Sequence, residues 1–118
     1  MILVVGLLSV GCLTPEQKQQ KTLRDSVVGE YEHKHNNGNT YKYVFLDNGI
    51  QEDYINGKKL VEAKWSVVKG EIHIKSDSGV ISVWRINTDK SITQITYIID
   101  GKRTDIIKKF KFTYKKIN

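Results

Sequence analysis

The fold is decided by residues 40–65, which read TYKYVFLDNGIQEDYINGKKLVEAKW. Two dipeptides in this stretch, Asn48-Gly49 and Asn56-Gly57, tolerate positive φ at both central positions of a tight turn and therefore favour short β-hairpins. Ahead of the first dipeptide, Tyr41, Tyr43 and Phe45 occupy every second position, which is the period of a half-buried strand. The stretch predicts three antiparallel strands joined by hairpins.

The same pattern continues toward both ends of the chain. Further turn signals are Lys69-Gly70, Asp77-Ser78-Gly79 and Asp100-Gly101. Because each connection is short, neighbours in sequence are expected to be antiparallel neighbours in space. The predicted strands cover residues 28–35, 40–47, 50–55, 60–69, 71–76, 80–86, 92–99 and 103–115.

These strands predict an all-β protein, an antiparallel up-and-down meander of about eight strands that closes into a small barrel. Closure removes the exposed strand edges that an open sheet would carry. A two-sheet β-sandwich is the alternative that this pattern leaves open.

The N-terminal residues predict an export leader. Residues 1–11 carry no charge and are almost wholly apolar. At about 1.5 Å per residue they are too short to span a bilayer as a helix, but they have the length of a signal-peptide core. We therefore expect a signal peptide over residues 1–11, a polar tether over 12–26 and the barrel domain over 27–118. Within the tether, Thr14-Pro15-Glu16-Gln17 has the layout of a helix start.

The junction Leu8-Ser9-Val10-Gly11-Cys12 resembles the lipobox of bacterial lipoproteins. That resemblance implies cleavage after Gly11 and a diacylglycerol on the thiol of Cys12. One acyl chain anchors a protein only marginally, whereas two or three anchor it stably, so the resemblance implies a cell-envelope protein held on the periplasmic or extracellular face of a membrane. Cleavage without lipid attachment and a buried Cys12 thiol are the alternatives.

The barrel domain resembles the lipocalin-like group of small bacterial proteins over residues 27–117. The residues that carry the resemblance are Val28-Gly29-Glu30-Tyr31 and residues 63–74, AKWSVVKGEIHI. The resemblance implies a barrel interior that holds a small apolar molecule. The alternative is a packed core, since short strands make a narrow barrel. The candidate lining residues are Tyr31, Tyr41, Tyr43, Phe45, Trp65, Trp84, Phe110 and Phe112.

The positive charge of the chain is concentrated at its C-terminal end. Residues 102–118 hold seven basic residues and one acidic residue, and 7 − 1 equals the whole net charge of +6. Lys109, Lys111 and Lys115 alternate with Phe110 and Phe112 there, so these lysines are predicted to form an outer surface for anionic lipid headgroups. A plain solvated face is the alternative. Export argues against a nucleic-acid partner.

Few residues suggest chemistry. His33 and His35 would share one strand face and could hold a metal with His73 or Glu30, but they border a polar turn, and we predict no metal site. The nucleophile elbow and the phosphate-cradling glycine loop are both missing from the sequence. We therefore expect neither an enzyme nor a bound cofactor.

Two functions are carried forward. The first is a cell-envelope lipoprotein whose non-catalytic barrel binds a small apolar ligand or an envelope partner. The second is a surface interaction protein, such as an inhibitor or a phage exclusion-type lipoprotein, with a filled core and no ligand.

Overall fold

A computed structural model describes residues 14–106 and 112–118 of the chain. The predicted hairpin meander is present, preceded by one helix. The elements are α1 (Pro15–Val27), β1 (Gly29–Lys34), β2 (Thr40–Phe45), β3 (Ile50–Ile55), β4 (Lys58–Val68), β5 (Glu71–Lys75), β6 (Ile81–Ile86), β7 (Ile92–Ile99), β8 (Lys102–Asp105) and β9 (Thr113–Lys116).

The sheet closes on itself. Strands β1 to β7 pair consecutively and antiparallel, β7 also pairs with β9, and β9 pairs with β1. Strands β1 to β7 and β9 thus form a closed barrel, and β8 is an additional strand on β7. The predicted all-β barrel is confirmed, and the two-sheet sandwich is excluded.

The last predicted strand, 103–115, is interrupted, and in this respect the prediction was wrong. Thr96 of β7 pairs with Asp105, whereas Thr93 of β7 pairs with Thr113. Three residues along β7 (96 − 93) therefore correspond to eight residues from β8 to β9 (113 − 105), so this part of the chain does not pair continuously with β7. The alternation of aromatic residues indicates which side chains face inward, but it does not show whether the backbone stays hydrogen-bonded to its neighbour.

Helix α1 begins as the sequence predicts. Thr14 is the N-cap, Pro15 is the first helical residue, and the side chains of Thr14 and Gln17 form a reciprocal capping box. Residues 14–22 are exposed, and contact with the barrel is confined to the end of the helix. In the described part of the chain, no helix combines the length and apolar character needed to cross a bilayer.

The end of α1 closes one end of the barrel. Val27, the last helical residue, is buried, and its carbonyl accepts a hydrogen bond of 2.8 Å from the Tyr31 hydroxyl. Arg24 donates to the backbone oxygen of Asp47 at 2.8 Å, and its guanidinium lies 4.8 Å from the ring centre of Trp65. The sequence predicted only a spacer here, because a single buried residue leaves no apolar stripe to recognise.

The core lies inside the barrel and includes Val27 at the end of α1. Tyr31, Phe45 and Trp65 pack edge to face in series, with ring centres 5.4 Å apart at each step. The consecutive residues Val83 and Trp84 of β6 are both buried, which explains why this strand shows no clear alternation, and opposite them Ile95 is the extra residue of a β-bulge on β7. The buried apolar residues are Val27, Tyr31, Phe45, Trp65, Ile72, Ile74, Val83, Trp84, Ile92 and Tyr114.

Candidate functional site

The end of the barrel opposite α1 opens into a cavity of about 390 Å³, which we call the open-end cavity. Its wall is formed by residues of β2, β3, β4, β5, β6 and β7, together with residues 76–80, which connect β5 to β6. Tyr43, Asp53, Ala63, Ser82 and Tyr97 are among its lining residues. The cavity lies within the size range of small-molecule sites.

The strand register explains why these residues meet. Tyr43 on β2 pairs with Asp53 on β3, and Asp53 pairs in turn with Val61 on β4. Directly opposed residues in an antiparallel pair project from the same face of the sheet, so all three face the interior. The Tyr43 ring lies 4.6 Å from that of Tyr114 and 5.2 Å from that of Trp84, which gives the cavity an aromatic floor.

Asp53 brings a carboxyl group into the barrel. Its Oδ1 accepts a hydrogen bond of 2.7 Å from Nε2 of Gln51, which also donates to the backbone oxygen of Glu52. Gln51 is only 2% exposed, so its amide is held in place by packing as well as by these bonds. Burial raises the pKa of the Asp53 carboxyl above its usual range, and the bond from Gln51 lowers it by a smaller amount.

Burial also dominates the tyrosines beneath the carboxyl. It raises the pKa of Tyr43 well above the ordinary value, and the neighbouring Tyr114 and Asp53 add to the effect. The pKa of Tyr114 is raised for the same first reason. Both phenols are therefore neutral over the physiological range, so the Asp53 carboxyl has neutral hydroxyls near it.

The charged residues that line the open-end cavity all share one sign. They are Asp53, Glu62 and Asp77, and the described lining contains no lysine or arginine. The ion pairs formed within residues 14–106 and 112–118 do not involve Asp53. Glu62 is paired with Lys59, so the negative charge of the lining comes from Asp53 and Asp77, in a chain of net charge +6.

The aromatic residues expected to line a cavity divide into three groups. Tyr43 lines the open-end cavity, whereas Tyr31, Phe45, Trp65 and Trp84 belong to the packed core. Tyr41 and Phe112 are partly buried against that core, and Phe110 lies outside the described residues.

Sequence reasoning missed the polar part of the site, namely Gln51, Asp53, Ser76 and Ser82. For Asp53 a usable signal was present. The Asn48-Gly49 turn sets the register of β2 against β3, and that register places Asp53 opposite Tyr43. Alternation alone does not assign a side to such a short strand, so without the register Asp53 is equally compatible with a solvated strand face.

The histidines lie elsewhere. His33 packs between Phe112 and Tyr114, with ring centres 5.2 Å and 5.5 Å away, and its Nδ1 is 3.1 Å from the Thr113 carbonyl oxygen. His35 packs against Phe112 and Tyr41, at 5.3 Å and 6.1 Å. Within the described residues, no group of three or more histidine, cysteine or acidic side chains is arranged to hold a metal ion.

The remaining predicted site residues are on or beyond the surface. Lys115 is exposed on β9, as a headgroup-facing lysine would need to be. Lys109, Lys111, Cys12 and the leader over residues 1–11 lie outside the described residues. Comparison with protein-family models, curated proteins and solved structures finds no match to the chain.

Proposed function

We propose that the barrel binds a small molecule, without catalysis, in the open-end cavity. The observation that carries this proposal is the asymmetry of the barrel. One end is closed by α1 and filled by the aromatic core, while the other holds a cavity of about 390 Å³ that begins above Tyr43. A barrel that needed only a packed interior would gain nothing from leaving this space unfilled, since empty space in an interior costs stability.

The lining supports a ligand with both apolar and polar parts. Val61, Ile74 and Tyr97 supply apolar surface, while Asp53 and Ser82 supply hydrogen-bonding groups. Sites for small molecules commonly combine an apolar wall with a few polar groups that fix the orientation of the ligand. We therefore expect a ligand that has an apolar body and a polar group, and not a wholly apolar one.

Exposed apolar side chains also support ligand binding in the open-end cavity. Val61 and Tyr97 line the cavity and remain 50% and 38% exposed, and a ligand seated between them would cover both. Leu60 and Ile99 are also exposed, at 56% and 44%, but do not line the cavity. These two residues favour a second candidate function, the docking of an envelope protein at the open end.

We further propose that the chain is exported and attached to a membrane through Cys12. Its support is the lipobox-like junction and the position of α1, whose 13 residues span about 20 Å. Because α1 ends at the closed end of the barrel, an anchor just before Thr14 would be joined to that end. The open-end cavity would then stay accessible from the surrounding solution.

Blocking the cavity tests ligand binding. Ala63 lines the open-end cavity, whereas Lys64, the next residue on β4, is exposed and does not. Ala63→Phe would fill the cavity, and Lys64→Phe is a control that adds the same ring to the opposite face of the strand. Native mass spectrometry of protein purified from its own cells should show a retained small molecule in the wild type and in Lys64→Phe, but not in Ala63→Phe.

The alternatives give different results. Equal retention in both variants would contradict binding in the cavity. If no molecule is retained, and pull-down of an envelope protein is lost in Leu60→Ser and Ile99→Ser, the surface interaction function is the correct one. Membrane partition and intact mass, measured with and without Cys12→Ser, test the anchor, and an unprocessed chain in the cytosol would refute it.

A further inference from the structure

Resting on the proposed function, we infer that the ligand of the open-end cavity carries a positively charged amino group that pairs with Asp53. The structure places a carboxyl group inside the barrel, between Tyr43 and Val61, in a cavity whose described lining contains no basic residue. A ligand ammonium group would supply the missing counter-charge.

The hydrogen bonding of Asp53 leaves room for such a group. An ionised carboxylate has about four lone-pair sites. In the described part of the chain, Asp53 uses Oδ1 for the bond from Gln51 at 2.7 Å. An ammonium group has three donors and no acceptor, which matches what remains unused on the carboxylate.

The acidic residues of the cavity favour a positively charged ligand. Asp77 lines the same cavity and Glu62 there is paired with Lys59, so Asp53 and Asp77 leave the site negative although the chain as a whole carries +6. Charge complementarity of this kind favours a cation and disfavours an anion entering the same space. Burial of Asp53 strengthens the effect, since the interaction between two charges grows as water is removed from between them.

The Asp53 carboxyl lowers the stability of the ligand-free protein. A partly buried carboxylate without a counter-ion destabilises the folded state, whereas an asparagine could keep the Gln51 bond and avoid that cost. Such a residue is expected where the charge is used in binding. Tyr43 and Tyr97 add aromatic rings to the lining, and ring faces attract ammonium groups.

Three probes that differ in a single group test the inference. Benzylamine, benzyl alcohol and benzoate share one ring and are cationic, neutral and anionic at neutral pH. Binding is followed by amide chemical shifts of the full chain carrying Cys12→Ser, which also report whether each variant is folded. We expect benzylamine to bind about 10-fold to 100-fold more tightly than benzyl alcohol, the range of a hydrogen bond to a charged group, and benzoate to bind weakest.

Asp53→Asn should reduce the preference for benzylamine over benzyl alcohol to about onefold, because it removes the charge and keeps the shape. Asp47→Asn is the matched control, since Asp47 is exposed at the closed end, and it should leave the preference unchanged. A preference that persists in Asp53→Asn, or its absence from the wild type, overturns the inference while cavity binding stands. If none of the three probes shifts cavity signals at millimolar concentration, the proposed function itself is refuted.

A pH series on the wild type gives an independent measurement should Asp53→Asn not fold. Protonation of Asp53 should weaken benzylamine binding in acid and leave benzyl alcohol binding unchanged. The other ionisable groups near the carboxyl are Tyr43, Tyr114, Tyr97, Glu62 and Asp77, and the two acids among them are removed in a control. The loss must therefore persist in the double variant Glu62→Gln/Asp77→Asn, and its disappearance there overturns the assignment to Asp53.

Discussion

Gly29 is where the first strand meets the end of the chain, and Gly29→Ala should strongly destabilise the barrel. Its φ is +144°, and a Cβ built on it would collide with the backbone oxygen of Asn118. That oxygen accepts a hydrogen bond of 3.0 Å from the Glu30 amide, and the Glu30 carbonyl accepts one of 2.8 Å from the Ile117 amide. Relieving the collision would therefore separate β1 from the residues that follow β9.

The expected loss has two parts. A side chain forced into a backbone conformation that suits glycine costs about 1–3 kcal/mol. Two backbone hydrogen bonds contribute about 0.5–1.5 kcal/mol each to stability. We therefore expect Gly29→Ala to lower the free energy of unfolding by about 2–6 kcal/mol, measured by urea denaturation with the emission of Trp65 and Trp84 as the signal.

Gly57→Ala is the control that separates these two parts. Gly57 also has a positive φ, +82°, but a Cβ there would meet no atom within 4 Å. It should cost only the conformational part, about 1–2 kcal/mol. Hydrogen exchange at the Glu30 and Ile117 amides should accelerate in Gly29→Ala and not in Gly57→Ala. Equal losses in the two variants, or unchanged exchange at both amides, would refute the assignment of a steric role to Gly29.

Three further substitutions probe the interior carboxyl and the closed end. Because burial raises the folded-state pKa of Asp53, its contribution to the free energy of unfolding is complete below the unfolded pKa and is lost as pH rises through the folded value. Asp53→Asn should therefore be more stable than the wild type in urea at about pH 7, with the difference closing near pH 3. A wild type that is the more stable at neutral pH would contradict this. Tyr31→Phe removes the bond to the Val27 carbonyl and should cost about 1–3 kcal/mol near pH 7. Since burial raises the pKa of Tyr31 to about 12, the wild type should lose part of this advantage between pH 10 and 12 in alkaline denaturation, and a difference constant up to pH 12 would argue against it. Arg24→Met should lower the free energy of unfolding by about 1–2 kcal/mol and change Trp65 emission. Lys18→Met, on the exposed part of α1, should do neither. Equal effects of the two substitutions would mean that Arg24 does not hold the helix in place.

The sequence predicted the barrel well because local signals determine most of it. Each hairpin has its own turn residues, and the inward residues of β4 and β5 alternate cleanly with more exposed ones. The predictions failed where a tertiary contact decides the outcome. The interruption between Asp105 and Thr113 depends on which part of β7 each segment pairs with, and no dipeptide marks it.

The site was harder to predict than the fold. Aromatic residues identified the interior, yet most of them form the packed core and only Tyr43 among the candidates lines the open-end cavity. Which part of the interior is empty depends on side-chain volumes summed over several strands, together with a helix that closes one end. The role of Asp53 follows from the strand register, so it could be derived only once the pairing of β2 with β3 was taken into account.

The pairing of β9 with β1 also constrains the order in which the chain can fold. It joins Tyr31 to Lys116 and Glu32 to Lys115, residues separated by almost the whole length of the domain, whereas the pairs from β1 through β7 join immediate neighbours. Contacts between distant residues form slowly, because a long loop must be ordered before they are made. The hairpins can assemble as they emerge from a ribosome or a translocation pore, but the last contact waits for the C-terminal strand. Until then, β1 and the part of β7 at Ile92 and Thr93, which β8 does not cover, present unpaired edges to other chains.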